Sequence, residues 1–153
     1  MPDPYNLGRF LEAQSPIYEE VLRELRQHHK TTHWIWFIFP QLHGLGSSPM
    51  ACAYAITSLA EATAYLAHPI LGPRLRECTQ LVLLARALPI REILGTPDDL
   101  KFHSSMTLFA HATPDNQLFV EATQAFFAGR YDSLTLNILA SDQPGSPRHT
   151  PHS

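Results

Sequence analysis

Asp98, Lys101 and Ser105 stand at i, i+3 and i+7, with Ser104 beside the last of them. On a helix that spacing gathers them on one face and brings a lysine ammonium within reach of a serine hydroxyl. Such a group can bind a phosphate or a carboxylate. It can also act as a Ser-Lys nucleophile pair, which requires a desolvated lysine with a lowered pKa. An ordinary Asp-Lys pair on a solvated helix face has the same spacing. Lys101 is one of only two lysines, against nine arginines, so its position among serines points to use of the compact, multi-donor ammonium itself.

The second candidate is the turn from Gln41 to Ser48, Q-L-H-G-L-G-S-S. Gly44 and Gly46 would let backbone N–H groups approach an anion, with Gln41, Ser47 and Ser48 alongside. The lysine of a Walker loop is missing, and the same glycines suit a tight connection between two elements. Just upstream, Trp34 and Trp36 have ring faces that suit stacking on a base or a nicotinamide, although rings in so apolar a run are also core material. Trp34, Gln41, Gly44, Gly46, Ser47, Lys101, Ser104 and Ser105 are therefore the candidate ligand-binding residues.

The nine histidines raise the question of a metal. His29 and His33 have i, i+4 spacing, but Thr31 and Thr32 interrupt the helix between them, and no H-E-x-x-H or third ligand accompanies them. No metal and no cofactor is expected. His33 and His103 each adjoin a candidate segment, where an imidazole serves as general acid or base near neutral pH. Asp98 and Glu77 are the carboxylates considered for hydrolysis.

These residues need a scaffold, and 153 residues suffice for one domain with a real core. A formal charge of −3, with the arginines scattered, offers no basic stripe to nucleic acid. The amino end lacks a cationic stretch followed by an apolar one, and no run approaches a membrane span, so a soluble cytoplasmic protein is expected. Cys52 and Cys78 are isolated and read as reduced, buried thiols.

Helix punctuation recurs along the chain. Asn6 is expected to cap a short first helix, and Ser15-Pro16 a second one that runs to about Lys30, with Ile17, Val21 and Leu25 on one face. Ser58 and Glu61 have capping-box spacing, and His68-Pro69 should close the helix that follows. Leu71, Leu75, Cys78 and Val82 mark the next stripe. Gly95 ends a short helix at Ile90 to Leu94, Pro97 opens another, Pro114 to Gly129 bound one more, and Asp132 caps the last. Trp34 to Phe39, apolar throughout, has no second strand to pair with, so it reads as a short helix capped by Thr31 or Thr32 and stopped by Pro40. The expected fold is all-α: a single-domain orthogonal bundle of about seven to eight short helices around a central aromatic helix, over residues 1–140. Residues 141–153, rich in proline and polar residues, are expected to be a disordered tail.

Four motifs in this order, H-W-I-W-F-I-F-P-Q (His33 to Gln41), G-L-G-S-S-P-M (Gly44 to Met50), L-G-P-R-L-R-E (Leu71 to Glu77) and D-D-L-K-F-H-S-S-M-T-L-F (Asp98 to Phe109), resemble the bacterial family of domain of unknown function 1810 over about residues 5–140. The resemblance implies an all-helical fold and brings no catalytic residues with it. The expected function is binding of a small anionic, nucleotide-like or phosphorylated ligand where the Gln41–Ser48 turn meets the Lys101–Ser105 face. Two alternatives stand beside it. One is a non-enzymatic helical scaffold that forms homo-oligomers through Phe126, Phe127 and Tyr131. The other is an N-glycosidic hydrolase of a nucleotide or ADP-ribose derivative.

Overall fold

Glu24 starts the aromatic block on its course. In the computed structural model, which describes residues 2–142, its enclosed carboxylate accepts hydrogen bonds from the backbone N–H of Thr31 (2.8 Å) and Thr32 (3.1 Å), the Thr32 hydroxyl (2.6 Å) and the Trp34 indole N–H (3.0 Å). Neither threonine caps the helix that follows. The chain is gripped by a side chain ten residues upstream, and helix begins only after Trp34.

Among the described residues ten helices follow one another: α1 (Gly8–Gln14), α2 (Tyr18–Arg26), α3 (Ile35–Ile38), α4 (Pro49–Ala53), α5 (Leu59–Ala67), α6 (Leu71–Leu84), α7 (Ile90–Leu94), α8 (Asp98–Ala110), α9 (Gln117–Phe127) and α10 (Ser133–Asp142). Seven have seven residues or more, and α3, α4 and α7 are single turns. The bundle is all-helical among the described residues, apart from one isolated parallel bridge between Leu42 and Ile56. The predicted tail from residue 143 onward lies outside the described residues, and α10 continues through Ser141 to Asp142.

Local chemistry explains most of the boundaries. The Ser58 hydroxyl accepts from Glu61 N–H at 3.1 Å and caps α5, as its spacing predicts. The Glu61 carboxylate turns back to Thr57 N–H at 2.9 Å and also pairs with Arg9 at 3.0 Å. His68 ends α5, and its Nδ1 then accepts from Ile70 and Leu71 N–H at 3.1 and 3.2 Å, so one side chain closes a helix and opens the next. Gly95 terminates α7 at φ +81°, and Asp132 caps α10 by accepting from Thr135 N–H at 3.0 Å.

Two expected caps are corrected. Asp3, not Asn6, holds the start of α1, accepting from Leu7 and Gly8 N–H at 2.7 and 2.8 Å. Ser15 ends α1 instead of starting α2, whose N-terminal residue Ile17 has no side-chain cap. The second helix stops at Arg26 because His28 turns left-handed at φ +60°. Lys30 N–H then donates to Ile93 O at 2.7 Å.

The core is aromatic and continuous. Phe39 meets Phe102 edge-on at 4.9 Å, Phe10 meets Tyr65 at 5.0 Å, and Tyr65 carries the chain of rings to Phe109 at 5.4 Å. Rings in such tilted and edge-to-face arrangements contribute beyond the area they bury. α3 sits in this mass with Ile35, Phe37 and Ile38 enclosed. The helix that joins most of the others is α8, which packs against α3, α5, α7, α9 and α10. Every residue from Ser104 to Ala110 is buried, so the second half of α8 has no solvated side at all.

Candidate functional site

Only the first half of α8 reaches the surface, and a cleft opens there. Its volume is about 290 Å³, with walls from Pro97, Leu100, Lys101, His103 and Ser104 on and beside α8, Gln41 and Leu45 from the α3–α4 connection, and Asp132 and Leu134 at the start of α10. Leu100 and Leu134 are 60% and 62% exposed and, with Leu45 and Pro97, make the walls mainly apolar, with a few polar side chains set among them.

Each wall is fixed by a bond on its outer side. Gln41 is held through its backbone, its carbonyl accepting from Ile56 N–H at 2.8 Å while His43 N–H donates to Ile56 O at 2.8 Å. That pair is the Leu42–Ile56 bridge, and it leaves the Gln41 amide unbonded at the cleft. Asp132 takes two donors from Thr135 on one oxygen, the N–H at 3.0 Å and the hydroxyl at 2.6 Å, and on that same Oδ2 a share of the Ser104 hydroxyl at 3.4 Å, whose shorter bond is to Leu100 O at 3.1 Å. Its own N–H donates to the Thr107 hydroxyl at 2.9 Å, which ties the α10 N-terminus to α8. The His103 ring stacks on Phe127 at 3.9 Å and 10°, and its Nε2 lies 2.7 Å from Arg130 O. A carbonyl only accepts, so Nε2 carries a proton, and in the neutral ring Nδ1 holds the lone pair.

Lys101 is the one lysine or arginine among the residues that line the cleft. It forms no hydrogen bond or ion pair among the described residues. The expected Asp98 partner is taken by the other lysine: Lys30 Nζ lies 2.7 Å from Asp98 Oδ2, 2.6 Å from Thr32 O and 4.9 Å from the centre of the Trp34 ring. Lys30 is thereby enclosed and spent on structure.

Of the eight residues singled out by sequence, Gln41, Lys101 and Ser104 line the cleft. Trp34 does not: it is 1% exposed, with its indole on Glu24. Ser105 is wholly enclosed on the core side of α8, and its hydroxyl has no partner. Lys101 and Ser105 share a helical face by spacing, but that face turns inward within one turn. Gly44, at φ +88°, packs under α10, where an added Cβ would lie 3.4 Å from Ile138 Cδ1, and at Gly46 a Cβ would meet that of Ala51 at 2.8 Å. The left-handed backbone at Gly44 and close packing at Gly46 thus account for the two glycines. Ser47 is exposed, and Ser48 caps α4 by accepting from Ala51 N–H at 3.1 Å.

Two cleft residues take on roles that the spacing does not reveal. Asp132 reads in sequence only as a cap, and His103 as a candidate general acid or base beside the serines. That Asp132 shares a cleft with Lys101 and His103 is tertiary. The other carboxylates considered for hydrolysis lie elsewhere: Asp98 on Lys30, and Glu77 accepting from the Tyr18 hydroxyl at 2.7 Å. Beside that last pair, burial pushes the Cys78 thiol up to about 12, so it stays protonated. Cys52, expected to be buried, is exposed. Phe126 and Phe127 lean on Phe102, and Tyr131 meets His111 edge-on at 4.8 Å. No three His, Cys, Asp or Glu side chains cluster as a metal site would require among the described residues. Nor is any described helix long and apolar enough to cross a membrane.

The fold and the cleft define a helical bundle with an unpaired cation at an open hollow. The chain belongs to the family described as protein of unknown function (DUF1810), whose profile it matches over residues 4–139. It is similar to a crystal structure of a conserved hypothetical protein from Mycobacterium tuberculosis, with 55% sequence identity, a TM-score of 0.89, and coverage of 90% of this chain and 99% of that one. None of the curated proteins compared matches the chain.

Proposed function

We propose that this protein binds a small anionic ligand, nucleotide-like or phosphorylated, in the cleft between α8, the α3–α4 connection and the start of α10. The observation that carries the reading is Lys101. An ammonium held in a hollow with no carboxylate on it is an anion site waiting for its counter-charge, and the other lysine is fully engaged. Gln41 adds an amide with free donors, and the rim of Leu45, Leu100 and Leu134 offers apolar surface to the body of the ligand. A hollow of about 290 Å³ sits at the small end of ligand pockets and suits a monophosphate or a short phosphorylated metabolite. A cytoplasmic setting belongs to the same reading, supported by the free thiols of Cys52 and Cys78.

The test is a thermal-shift and calorimetric series with inorganic phosphate, nucleoside monophosphates and sugar phosphates. A ligand at 100 times its Kd adds about 2.7 kcal/mol, which for a domain of this size raises Tm by about 5–10 °C. Lys101→Met keeps the aliphatic stem and removes the charge, so it should abolish the shift while unfolding at the temperature of the unliganded parent. Absence of any anion-induced shift in the parent chain would refute the reading.

A further inference from the structure

The geometry points to a ligand whose anionic group sits on Lys101 and whose neighbouring hydroxyls are received by Asp132 Oδ1 and His103 Nδ1, which makes a sugar phosphate, free or as the ribose phosphate of a nucleotide, the class of molecule that fits. This rests on the anion-binding reading above and specifies the rest of the ligand.

Among the described residues every hydrogen bond to the Asp132 side chain falls on Oδ2, and none on Oδ1. In its neutral form His103 has its one proton on Arg130 O, and Nδ1, an acceptor, has no partner among those residues. Ser105 Oγ is the one fully enclosed side-chain polar atom without a partner among the described residues. The two unused acceptors are therefore open to solvent, and both residues line the cleft. Neither is free to swing away: the ring is clamped between Phe127 and Arg130 O, and the carboxylate is pinned by Ser104 and Thr135.

A site with one cation and two preset acceptors asks for an anion that also carries hydrogen-bond donors. An amino-phosphate would satisfy that description too, with its ammonium on Asp132. The surroundings of Asp132 favour neutral donors. Its charge is already offset by the two Thr135 donors and by the positive end of the ten-residue α10, so the remaining oxygen gains little from a full cation and is well matched to a hydroxyl. His103 Nδ1 accepts one donor more, as the second hydroxyl of a vicinal pair supplies.

Titration calorimetry of the full chain with inorganic phosphate, ribose 5-phosphate and O-phosphoethanolamine tests this. Two added neutral hydrogen bonds correspond to about tenfold in affinity, so ribose 5-phosphate should bind about tenfold more tightly than either other probe. Asp132→Asn keeps a good N-cap and turns an amide donor or a weakened acceptor toward the sugar, which should cut the ratio of ribose 5-phosphate to phosphate affinity to within about threefold. His103→Phe keeps a ring on Phe127 and removes Nδ1; it carries the same expectation if the Asp132 variant melts early. If phosphate binds in a Lys101-dependent way and the sugar adds nothing, the hydroxyl inference falls while the anion site stands. Tightest binding of O-phosphoethanolamine also overturns it, and failure of all three probes overturns both readings.

Discussion

Replacing Glu24 with glutamine should be among the most damaging single-atom changes available to this chain, with a pH signature that identifies the cause. Burial by itself raises a carboxyl's pKa, yet the donors on Glu24, first the Thr32 hydroxyl and then the N–H groups of Thr31, Thr32 and the Trp34 indole, overrule it and hold the group at about 2 against its ordinary 4.5. A gap of about 2.5 pH units, at 1.36 kcal/mol each, makes the ionised carboxylate responsible for about 3 kcal/mol of stability. The folded pKa lies below the unfolded one, so this contribution is complete above about pH 5 and fades as the pH falls toward about 2. Glu24→Gln keeps the shape, loses the charge, and brings an amide N–H into a place where four donors already converge. At pH 7 the variant should be less stable by at least about 3 kcal/mol, a fall in Tm of about 6–12 °C. Chemical denaturation of parent and variant at a series of pH values from 7 to 2 reads both effects, and the difference between them should shrink on acidification. A loss below about 1 kcal/mol at pH 7, or a difference independent of pH, would refute the assignment of Glu24 as the grip on this segment.

Two further substitutions probe the core. Ser105→Ala removes an enclosed hydroxyl that bonds to nothing and should be neutral or stabilising by about 1 kcal/mol in thermal unfolding; a clear loss would reveal a partner. It should also leave phosphate affinity unchanged, since Ser105 faces away from the cleft. Gly72→Ala should cost at least about 2 kcal/mol in urea unfolding although alanine ordinarily favours helix, because the added Cβ would lie 2.1 Å from Leu66 O where α5 and α6 meet. A stabilised Gly72→Ala protein would show that the α5–α6 junction yields freely.

Where a signal in the chain is local, the sequence carries it. Ser58 with Glu61, Gly95 and Asp132 punctuate their helices through bonds spanning three or four residues, and all four are readable. Errors arise where a second side chain competes for the same backbone groups, at the edge of that window or well beyond it. Asp3 reaches forward to Leu7 and Gly8 and displaces Asn6 as a cap, and Glu24 reaches eight and ten residues on to Thr32 and Trp34, displacing the expected threonine caps. α4 is a five-residue turn with no buried residue, too short to show a period. The cleft divides in the same way. Gln41 and Lys101 stand out by type and setting, whereas Ser105 joins them only if α8 keeps one solvated face along its whole length. It does not: α8 packs against five other helices, and every residue from Ser104 to Ala110 is buried. No spacing rule places Asp132 opposite Lys101; the Thr107 and Ser104 hydroxyls that tether it belong to another helix.

The Leu42–Ile56 bridge turns the intervening segment into a closed loop whose two ends are tied to each other through the backbone alone. Gln41 is therefore anchored without help from the side chains of α4, all of which lie outside the buried core. The exposed side chains of Cys52 and Ala53 on the far side of that loop can therefore be exchanged while the mouth of the hollow keeps its shape.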